Sequence, residues 1–419
     1  MRRGKIIDTI SKSQFFRSVI VLMTGSMLAA LIRFIATPVL TRLYSQEAMG
    51  AYAYLISISS IFMGVVNARY DVPIVTDDKD ENVFPLIKLS LSIGLIVTFI
   101  ASLVFTFIFV HNGKPLYWPF LFFFNVLSYS IINVLTAYNN RNKEYKVISS
   151  VGVIRRGTQY GLAIVLGFFL PYSICLLVPY VVGEYMGISR QIKPLRPHIR
   201  EVFSVDYNQL KEVAKIHWKQ SLFSTPALLA NSLSYSLITI FMGNLYGMST
   251  VGLYSISMTL LGVPLGLIGG NVAKVFMQKA SVEFSKSGVY SRAFNSTFAF
   301  LVMIAIPMAM VMIFFGEPIC SFIFGKQWAP AGVFIRILAP MFAVRFVTSA
   351  LSPAFTIIKQ QQLDLVLQLA FFASNLVSYF IAKSMGYGPD GFLSLISVLF
   401  TISYSVYLFF LFIYSRKRL

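Results

Sequence analysis

Among the cationic side chains within long apolar stretches of the sequence, where charged residues are rare, five are candidates for binding a ligand. They are Arg33, Arg69, Lys274, Arg336 and Arg345. An ionised side chain at the centre of a membrane costs at least about 2.5–3.5 kcal/mol, so each of these cations is a candidate functional residue by default. Guanidinium and ammonium groups bind phosphate and carboxylate groups through charge-assisted hydrogen bonds. The five residues therefore predict a binding site for an anionic ligand.

Acidic, thiol and imidazole side chains offer little alternative chemistry. Within the apolar stretches the acids are Asp71, Glu184 and Asp364, and each lies near the end of its stretch. Two cysteines and three histidines are too few and too scattered for a disulfide framework, a metal cluster or a nucleophile with its base. The sequence also has no phosphate-binding loop of the GxxxxGK[ST] kind. We therefore expect no catalytic residue, no metal and no cofactor.

Structural interpretations of two of these cations stay open at this point. Arg69 and Lys274 lie near the ends of their stretches, from which long side chains snorkel to the membrane interface. Arg69 also has Asp71 close in the sequence. Arg33 lies well inside its stretch without a neighbouring acid, which makes it the strongest of the candidates.

The other two cations, Arg336 and Arg345, are separated by about 180° around an ideal helix. They share one face only if Pro340 bends or rotates the helix between them.

Polar side chains in the apolar stretches are candidates either for ligand contacts or for hydrogen bonds between helices. They are Tyr138, Asn139, Asn140, Gln159, Tyr235, Gln368 and Asn375.

The composition identifies the elements that must position these residues as membrane-spanning helices. Of the 419 residues 57% are hydrophobic and only 12% are charged, which is too little polar surface for a soluble protein. A spanning helix needs about 20 apolar residues. Twelve stretches meet this requirement, at about 16–40, 48–73, 83–110, 116–138, 148–169, 171–189, 217–243, 249–277, 293–315, 328–357, 364–383 and 391–414.

The cations of the loops indicate how the chain is oriented. An even number of spans places both termini on one side, and twenty-two Lys and Arg residues lie in the loops of that side. The opposite loops contain four, namely Arg42, Lys114, Lys326 and Lys383. By the positive-inside rule both termini are cytoplasmic. The net charge of +19 does not indicate nucleic-acid binding, because the cations form no basic face interleaved with aromatic residues.

An internal duplication accounts for the twelve spans as two sets of six. The pattern Leu-Tyr-x5-Gly-x-Tyr at 43–52 recurs at 245–254, in the hairpin that opens each half. Trp118 and Trp328 open the fourth and tenth spans, and we expect both to anchor at the membrane interface. The sequence thus predicts an all-α membrane protein of two six-helix bundles, 1–189 and 217–419, which are joined by a basic cytoplasmic linker at 190–216. Because each half has six spans, the repeat is parallel.

Three segments resemble bacterial polysaccharide-repeat flippases of the Wzx type. These are TPVLTRLYS at 37–45 with the following Gly50, PLGLI at 264–268, and FGKQWAPA at 324–331. The resemblance extends over essentially the whole chain. Such flippases belong to a superfamily that also contains multidrug and toxic-compound extruders and the peptidoglycan lipid II flippase. The matching segments are structural hairpins, so they specify the family better than they specify a sugar.

The resemblance implies a transporter, and not an enzyme, in the bacterial cytoplasmic (inner) membrane. It would move undecaprenyl-diphosphate-linked oligosaccharide from the inner to the outer leaflet during O-antigen, capsule or exopolysaccharide biosynthesis. The five cations would then contact the pyrophosphate, and Tyr138, Asn139, Gln159 and Gln368 would line a glycan path. Cations in spans one, two and eight also resemble the lipid II flippase, although Lys274 lacks the bidentate fork of an arginine. Membrane lipid, a glycan polymerase and a chain-length regulator are the implied partners, and nucleic acid is not.

Three other functions remain as alternatives at this stage. A cation-coupled multidrug extruder shares the fold but would be expected to hold a buried acid for its ion and its cationic drug. A membrane-embedded glycan polymerase or ligase would need large catalytic outer loops, whereas every outer loop here is shorter than about fifteen residues. A channel or purely structural protein would not require the duplication.

The predicted topology can be tested by labelling single cysteines in intact cells. In a cysteine-free background, a cysteine at Lys114 or Lys326 should react with a membrane-impermeant maleimide, because both positions lie in outer loops. A cysteine at Lys286 should react only after the cells are opened. The reverse pattern would contradict the assignment of the termini to the cytoplasm.

Overall fold

The computed structural model describes residues 2–111, 113, 115–358 and 360–417, which are almost entirely helical and contain no strand. Thirteen principal helices follow one another: α1 (Arg2–Leu43), α2 (Gln46–Met63), α3 (Val83–His111), α4 (Tyr117–Arg141), α5 (Tyr145–Phe169), α6 (Ile174–Tyr185), α7 (Tyr207–Tyr246), α8 (Met248–Pro264), α9 (Gly270–Ser287), α10 (Ser291–Phe324), α11 (Ala331–Leu351), α12 (Gln361–Met385) and α13 (Pro389–Arg416). Short helical turns occupy Pro73–Thr76, Asp80–Asn82, Ile188–Gln191, Arg196–His198, Ile199–Ser204, Lys326–Trp328 and Ala354–Ile357. Lys114 lies outside the described residues.

The twelve predicted spans all correspond to helices, which confirms the all-α membrane architecture. Eight described segments are long and apolar enough to cross a membrane on length and composition. Helix α6 has only 12 residues and α8 has 17. Helix α5 has 25 residues, but Arg155, Arg156 and Gln159 interrupt its apolar middle. Which helix ends face the cytoplasm stays a prediction.

The helices form two compact units. Unit 1 contains residues 1–44 and 55–229, and unit 2 contains residues 45–54 and 230–419. These limits differ from the predicted halves, because the linker and the start of α7 pack within unit 1 and the start of α2 packs within unit 2. The predicted division at 189 and 217 therefore describes the sequence repeat, and it stays a prediction about domains.

The core of unit 1 joins the linker to the bundle. Apolar side chains from the segment after α2, from α3 and α4, and from the linker form one buried cluster together with Val213 of α7. The Tyr70 hydroxyl, also in this cluster, donates a hydrogen bond to the Ala214 carbonyl oxygen at 3.3 Å. The first turns of α7 are thus fixed to unit 1 by packing and by a hydrogen bond.

Beside this core, Asp77 forms polar contacts with α7 and α4. His217 Nε2 of α7 lies 2.8 Å from Asp77 Oδ2, and Arg141 donates to the Asp77 carbonyl oxygen at 2.7 Å. Burial acts to raise the pKa of the Asp77 carboxyl group. Hydrogen bonds from the Lys79 backbone N–H and from the Asn82 and His217 side chains outweigh that effect, so the Asp77 pKa lies below its ordinary value.

Helix α2 ends ten residues before the predicted end of the span 48–73, which corrects that boundary. The cause is Asn67, whose side chain is buried between α3 and α4. Its Nδ2 donates to the Ser90 carbonyl oxygen at 3.0 Å and to Ser130 Oγ at 2.9 Å, while its Oδ1 accepts from Asn133 at 3.2 Å. These bonds replace the helical pattern with a fixed break in the backbone.

The glycines of the repeated pattern lie at a close helix crossing in unit 2. A β-carbon on Gly50 would overlap the Met248 carbonyl oxygen, and one on Gly252 would overlap the Gln46 carbonyl oxygen. Gln46 also accepts a hydrogen bond from Ser249 Oγ at 2.8 Å. The repeated Gly is therefore explained by backbone-to-backbone contact between the starts of α2 and α8.

The tyrosines of the repeat have matching roles within their own units. Tyr44 donates its hydroxyl to the carbonyl oxygens of Ala163 at 2.6 Å and Cys175 at 3.1 Å, at α5 and α6. Tyr246 donates to the Tyr387 carbonyl oxygen at 2.9 Å, between α12 and α13. Each tyrosine ties the hairpin that opens its half to the last two helices of that half.

The two tryptophans that open spans four and ten are not interfacial anchors, and this prediction was wrong. Trp118 is 3% exposed and packs against Phe109, with ring centroids 5.7 Å apart. Trp328 is completely buried in unit 2. Both indoles fill the interior of their bundles, because burying a large aromatic surface is more favourable than leaving it at the rim.

The predicted span 249–277 is interrupted in the middle. Helix α8 ends at Pro264, and a single π-helical turn, Leu265–Gly269, connects it to α9. Proline lacks a backbone donor, and π turns inside helices often accompany functional residues. The predicted site residue Lys274 lies in α9, shortly after this interruption.

The glycine crossing predicts a stability difference between two substitutions in α8. Gly252→Ala forces a β-carbon into a backbone carbonyl, so it should destabilise the protein by about 1–3 kcal/mol. Gly262→Ala meets no atom within 4 Å and should have no such cost. Thermal unfolding of the purified variants should give a lower midpoint for Gly252→Ala, and equal midpoints would contradict the crossing.

Candidate functional site

Arg69 lies in strained backbone at the break after α2. Ala68 and Arg69 both adopt the left-handed region, with φ of 45° and 64°. Such conformations persist in non-glycine residues when the surroundings fix them, as the buried Asn67 side chain does here. The Arg69 Nε is buried and has no hydrogen-bond partner within the described structure. Asp71 is close enough to interact with Arg69 electrostatically, yet the two form no direct ion pair in the described residues.

Arg33 is exposed on α1, one turn before a proline. Thr37 Oγ1 donates to the Arg33 carbonyl oxygen at 2.7 Å, directly before Pro38, which lacks a backbone donor. In the described part of the chain Arg33 forms no ion pair. Its guanidinium is therefore accessible and not neutralised by a protein carboxylate.

A buried charged network in unit 1 was not among the predicted site residues. Arg156 Nη1 lies 3.0 Å from Glu184 Oε1, and Arg155 Nη2 donates to Gln191 Oε1 at 2.6 Å. Glu184 is 5% exposed and Arg155 is 9% exposed. The Arg155 Nε has no hydrogen-bond partner among the described residues. Arg156 thus pairs with the carboxylate, Arg155 interacts with it only electrostatically, and the network carries a net positive charge.

Two tyrosines extend this network. The hydroxyl groups of Tyr129 and Tyr180 lie 2.7 Å apart, and Asn125 Nδ2 lies 3.4 Å from the Tyr129 oxygen. Glu184 interacts electrostatically with both tyrosines. The polar groups therefore form one continuous network across α4, α5 and α6.

The polar residues predicted for unit 1 are used in packing. Tyr138 lies in the hydrophobic cluster. Asn139 donates to the Gln191 carbonyl oxygen at 2.8 Å, and Gln159 accepts a hydrogen bond from Arg156. All three are buried. They connect helices of unit 1, and their role in a glycan path stays a prediction.

Two predicted cations of unit 2 have different surroundings. Lys274 is exposed in the first turns of α9 and forms no ion pair with a described residue. Arg336 Nη1 lies 4.0 Å from Glu317 Oε1, and both side chains are about half exposed. Helix α10 continues past the predicted end at 315 and so includes this acid. Arg336 is therefore partly neutralised, whereas Lys274 is not.

Arg345 lies among aromatic rings. Its guanidinium carbon is 4.5 Å from the Tyr235 ring centre and 5.2 Å from that of Phe342. Tyr404 shares a hydrogen bond with Tyr235 at 3.0 Å between their oxygens, and Tyr254 is also close to the guanidinium. Within the described structure no carboxylate pairs with Arg345. The rings thus hold an arginine in place without neutralising it.

Gln368, the predicted polar residue of unit 2, contacts α7 one helical turn from the residue that contacts this arginine. It accepts a hydrogen bond from Asn231 of α7, and Tyr235 follows one helical turn later on the same face. Gln368 and Arg345 therefore meet adjacent turns of α7. We refer to the whole set as the Arg345 cluster, which comprises Asn231, Tyr235, Tyr254, Arg345, Gln368 and Tyr404.

Part of the charged network in unit 1 and part of the Arg345 cluster were not predicted from the sequence, and the reasons differ. Arg155 and Arg156 lie in the middle of the predicted span 148–169, so the rule that identified the other cations would have found them. Tyr254 ends the repeated pattern at 245–254, but that pattern does not indicate a contact with Arg345. Tyr404 gave no signal, because the chain has 22 tyrosines and only the fold selects the one that lies close to Arg345. Among the described residues no group of three His, Cys, Asp or Glu could hold a metal ion.

The charged network of unit 1 predicts a large cost for removing its acid. Glu184→Gln leaves the buried Arg155 and the partly exposed Arg156 without a counter-charge. Breaking a fully buried pair costs about 3–5 kcal/mol, and solvent screening of Arg156 places the expected cost near the lower end of that range. Asp80→Asn removes the acid of an ion pair with Arg141, but Asp80 is 95% exposed and the effect should be small. Thermal unfolding midpoints of the two variants test this difference, and a similar small loss in both would contradict the network.

Comparison with known proteins gives the family. The family described as polysaccharide biosynthesis protein matches residues 39–332. The capsular polysaccharide biosynthesis protein CapF of Staphylococcus aureus is 23% identical over 363 residues, which cover 80% of this chain and 83% of CapF.

Solved structures give the fold. The lipid II flippase MurJ in an inward closed conformation matches with a TM-score of 0.74 at 14% identity, and the match covers 93% of this chain and 87% of MurJ. An inward-facing multidrug resistance MATE family transporter of the MOP superfamily matches with a TM-score of 0.65 at 15% identity, covering 95% of this chain and 97% of the transporter. The chain belongs to the polysaccharide biosynthesis protein family and has the two-lobe, twelve-helix fold of these membrane flippases and exporters.

Proposed function

We propose that the protein flips undecaprenyl-diphosphate-linked oligosaccharide from the inner to the outer leaflet of the bacterial cytoplasmic membrane. The observation that supports this most is a set of cations without carboxylate partners in the described structure, within a flippase fold. Arg33, Lys274 and Arg345 are in this state, and Arg69 has a buried Nε without a partner. A pyrophosphate diester supplies the negative charge that such residues need.

The pyrophosphate, the sugars and the lipid tail of the substrate each require different surroundings. We therefore assign different residues to the pyrophosphate and to the sugars. In this proposal Arg33, Arg69, Lys274 and Arg345 contact the pyrophosphate, with Arg336 as a weaker contributor because of Glu317. The Arg345 cluster offers hydroxyl groups, amides and aromatic faces, which suit sugars. The lipid tail stays in the bilayer and needs no site.

The membrane potential is sufficient to drive this movement. Moving one charge through 100 mV is worth about 2.3 kcal/mol, so a head group with two negative charges gains roughly 4–5 kcal/mol on leaving a negative cytoplasm. The protein then has only to lower the barrier by replacing water around the pyrophosphate with fixed cations. Several weak contacts serve this better than one tight site, because the substrate must also be released.

A cation-coupled drug extruder is the main rival within the same fold. It needs an acid that is free to bind its ion and its drug. The buried Glu184 is paired with Arg156 and lies near a second arginine, and Asp71 lies within the electrostatic influence of Arg69. The match to the polysaccharide biosynthesis family also favours a glycan substrate. O-antigen, capsule or exopolysaccharide synthesis is the proposed setting, with a glycan polymerase and a chain-length regulator as proposed partners.

The proposal is tested by flipping of a lipid-linked oligosaccharide by purified protein in liposomes. Arg33→Gln and Lys274→Gln should each slow flipping about tenfold or more, because each removes a charge-assisted contact to the pyrophosphate. Lys286→Gln is the matched control, since Lys286 is exposed on the same helix as Lys274 and was not proposed to bind substrate. Absence of flipping by the wild-type protein, or equal rates in all three variants, would contradict the proposed function.

A further inference from the structure

A groove on the surface of unit 2 lies between α10 and α13, two helices that are long and apolar enough to cross a membrane. It has a volume of about 440 Å³, and its walls are mostly aromatic rings such as Phe298 and Phe409, with Asn295 and Ser405 as polar groups. Ser405 and Phe412, both in the groove wall, are about two helical turns apart, so the groove extends roughly 10 Å along α13. An apolar groove of this length suits part of an acyl chain.

Fixed contacts hold the two helices together at one end of this groove. The Tyr290 backbone N–H donates to the Ser415 carbonyl oxygen at 3.1 Å, and the Tyr290 hydroxyl donates to the Leu411 carbonyl oxygen at 3.3 Å. The rings of Phe294 and Phe412 pack edge to face with centroids 6.0 Å apart. The start of α10 and the end of α13 therefore lie side by side here, and in the predicted topology this end of the groove faces the cytoplasm.

Three cations lie at the same end of the groove. The guanidinium carbon of Arg416 is 4.1 Å from the ring centre of Phe412, which lines the groove. Arg292 precedes Asn295 by one helical turn, so the two are neighbours on the surface of α10. Lys417 directly follows Arg416. All three cations are exposed, and none of them forms an ion pair with a described residue.

The carboxylate of Glu283 lies near these cations but is bound to the backbone of α10. Its Oε1 accepts a hydrogen bond from the Arg292 backbone N–H at 3.0 Å, and its Oε2 accepts one from that of Ala293 at 2.8 Å. Glu283 thereby satisfies backbone donors in the first turn of α10. One carboxylate does not balance three cations, so this end of the groove carries a net positive charge.

We propose that this groove is a binding site for an anionic phospholipid of the cytoplasmic leaflet. An acyl chain lies in the groove, the phosphate pairs with Arg292 and Arg416, and the Asn295 amide donates to an ester carbonyl oxygen. Basic pockets between helices on the cytoplasmic side of a membrane bind acidic head groups. An uncharged lipid would leave the cations without an anion, and a soluble phosphate would leave the groove empty. The site uses none of the cations assigned to the pyrophosphate, so it does not depend on the proposed function.

Native mass spectrometry of the purified full chain tests the site by titration with phosphatidylglycerol or phosphatidylcholine of identical acyl chains. The wild-type protein should bind the anionic lipid about tenfold more tightly, because two arginines face its charge. The double variant Arg292→Gln, Arg416→Gln should reduce this ratio to about one without lowering the thermal unfolding midpoint, because both side chains are exposed. The double variant Lys279→Gln, Lys286→Gln removes the same charge from exposed positions on α9 and should keep the wild-type ratio.

Two substitutions on α13 distinguish binding in the groove from adsorption of lipid to surface cations. Ser405→Phe fills the groove and should weaken binding of both lipids, whereas Val406→Phe adds the same ring outside the groove and should not. Equal affinity of the wild-type protein for the two lipids, an unchanged ratio in the double arginine variant, or unchanged binding in Ser405→Phe would overturn the proposal.

Two other occupants of the groove are outcomes of the same titration. Displacement of phosphatidylglycerol by an equal concentration of undecaprenyl phosphate would assign the groove to a prenyl lipid. A dimer that is lost in Ser405→Phe would assign it to a second copy of the chain. Either result would overturn the phospholipid site, and retention of phosphatidylglycerol by a monomer under both conditions supports it.

Discussion

A charge held between apolar helices must be solvated by something other than lipid, and this constraint explains where the polar groups of the protein lie. In unit 1 one carboxylate, Glu184, and the side chain of Gln191 solvate two arginines on α5. In unit 2 aromatic rings surround Arg345 without neutralising it. Lys274 and Arg33 have no protein counter-charge in the described structure, and this excess of positive charge is what a pyrophosphate-linked substrate would satisfy.

Interruptions of the helices accompany two of these cations. Arg69 lies in the break that Asn67 fixes and Lys274 follows the π turn after α8, whereas Arg33 lies within the continuous helix α1. Irregular backbone is tolerated at membrane depth only where protein or a water-filled space satisfies it. The association of breaks with cations therefore supports a polar path through otherwise apolar bundles, and it gives the helices points at which they can bend during transport.

Features of this structure that depend on residues close together in the sequence could be predicted, and features that depend on residues far apart in the sequence could not. Each span could be read from hydropathy, because lipid exposure imposes an apolar surface on the whole helix. The repeated Gly50 and Gly252 could be found as a pattern, although their reason, a backbone contact, required the fold. The end of α2 could not be predicted, because it depends on Asn67 bonding to residues 23 and 63 positions away. The tyrosines around Arg345 come from three separate helices, so no local pattern predicted that they meet there.

On the proposed function, the cations that have no carboxylate partner in the described structure bind an anionic head group. The most direct measurement is the affinity of the wild-type protein in nanodiscs for undecaprenyl diphosphate and for uncharged undecaprenol, which share the same lipid tail. The account predicts that the diphosphate binds at least about tenfold more tightly, which corresponds to about 1.4 kcal/mol. Equal affinity for the two lipids would contradict it.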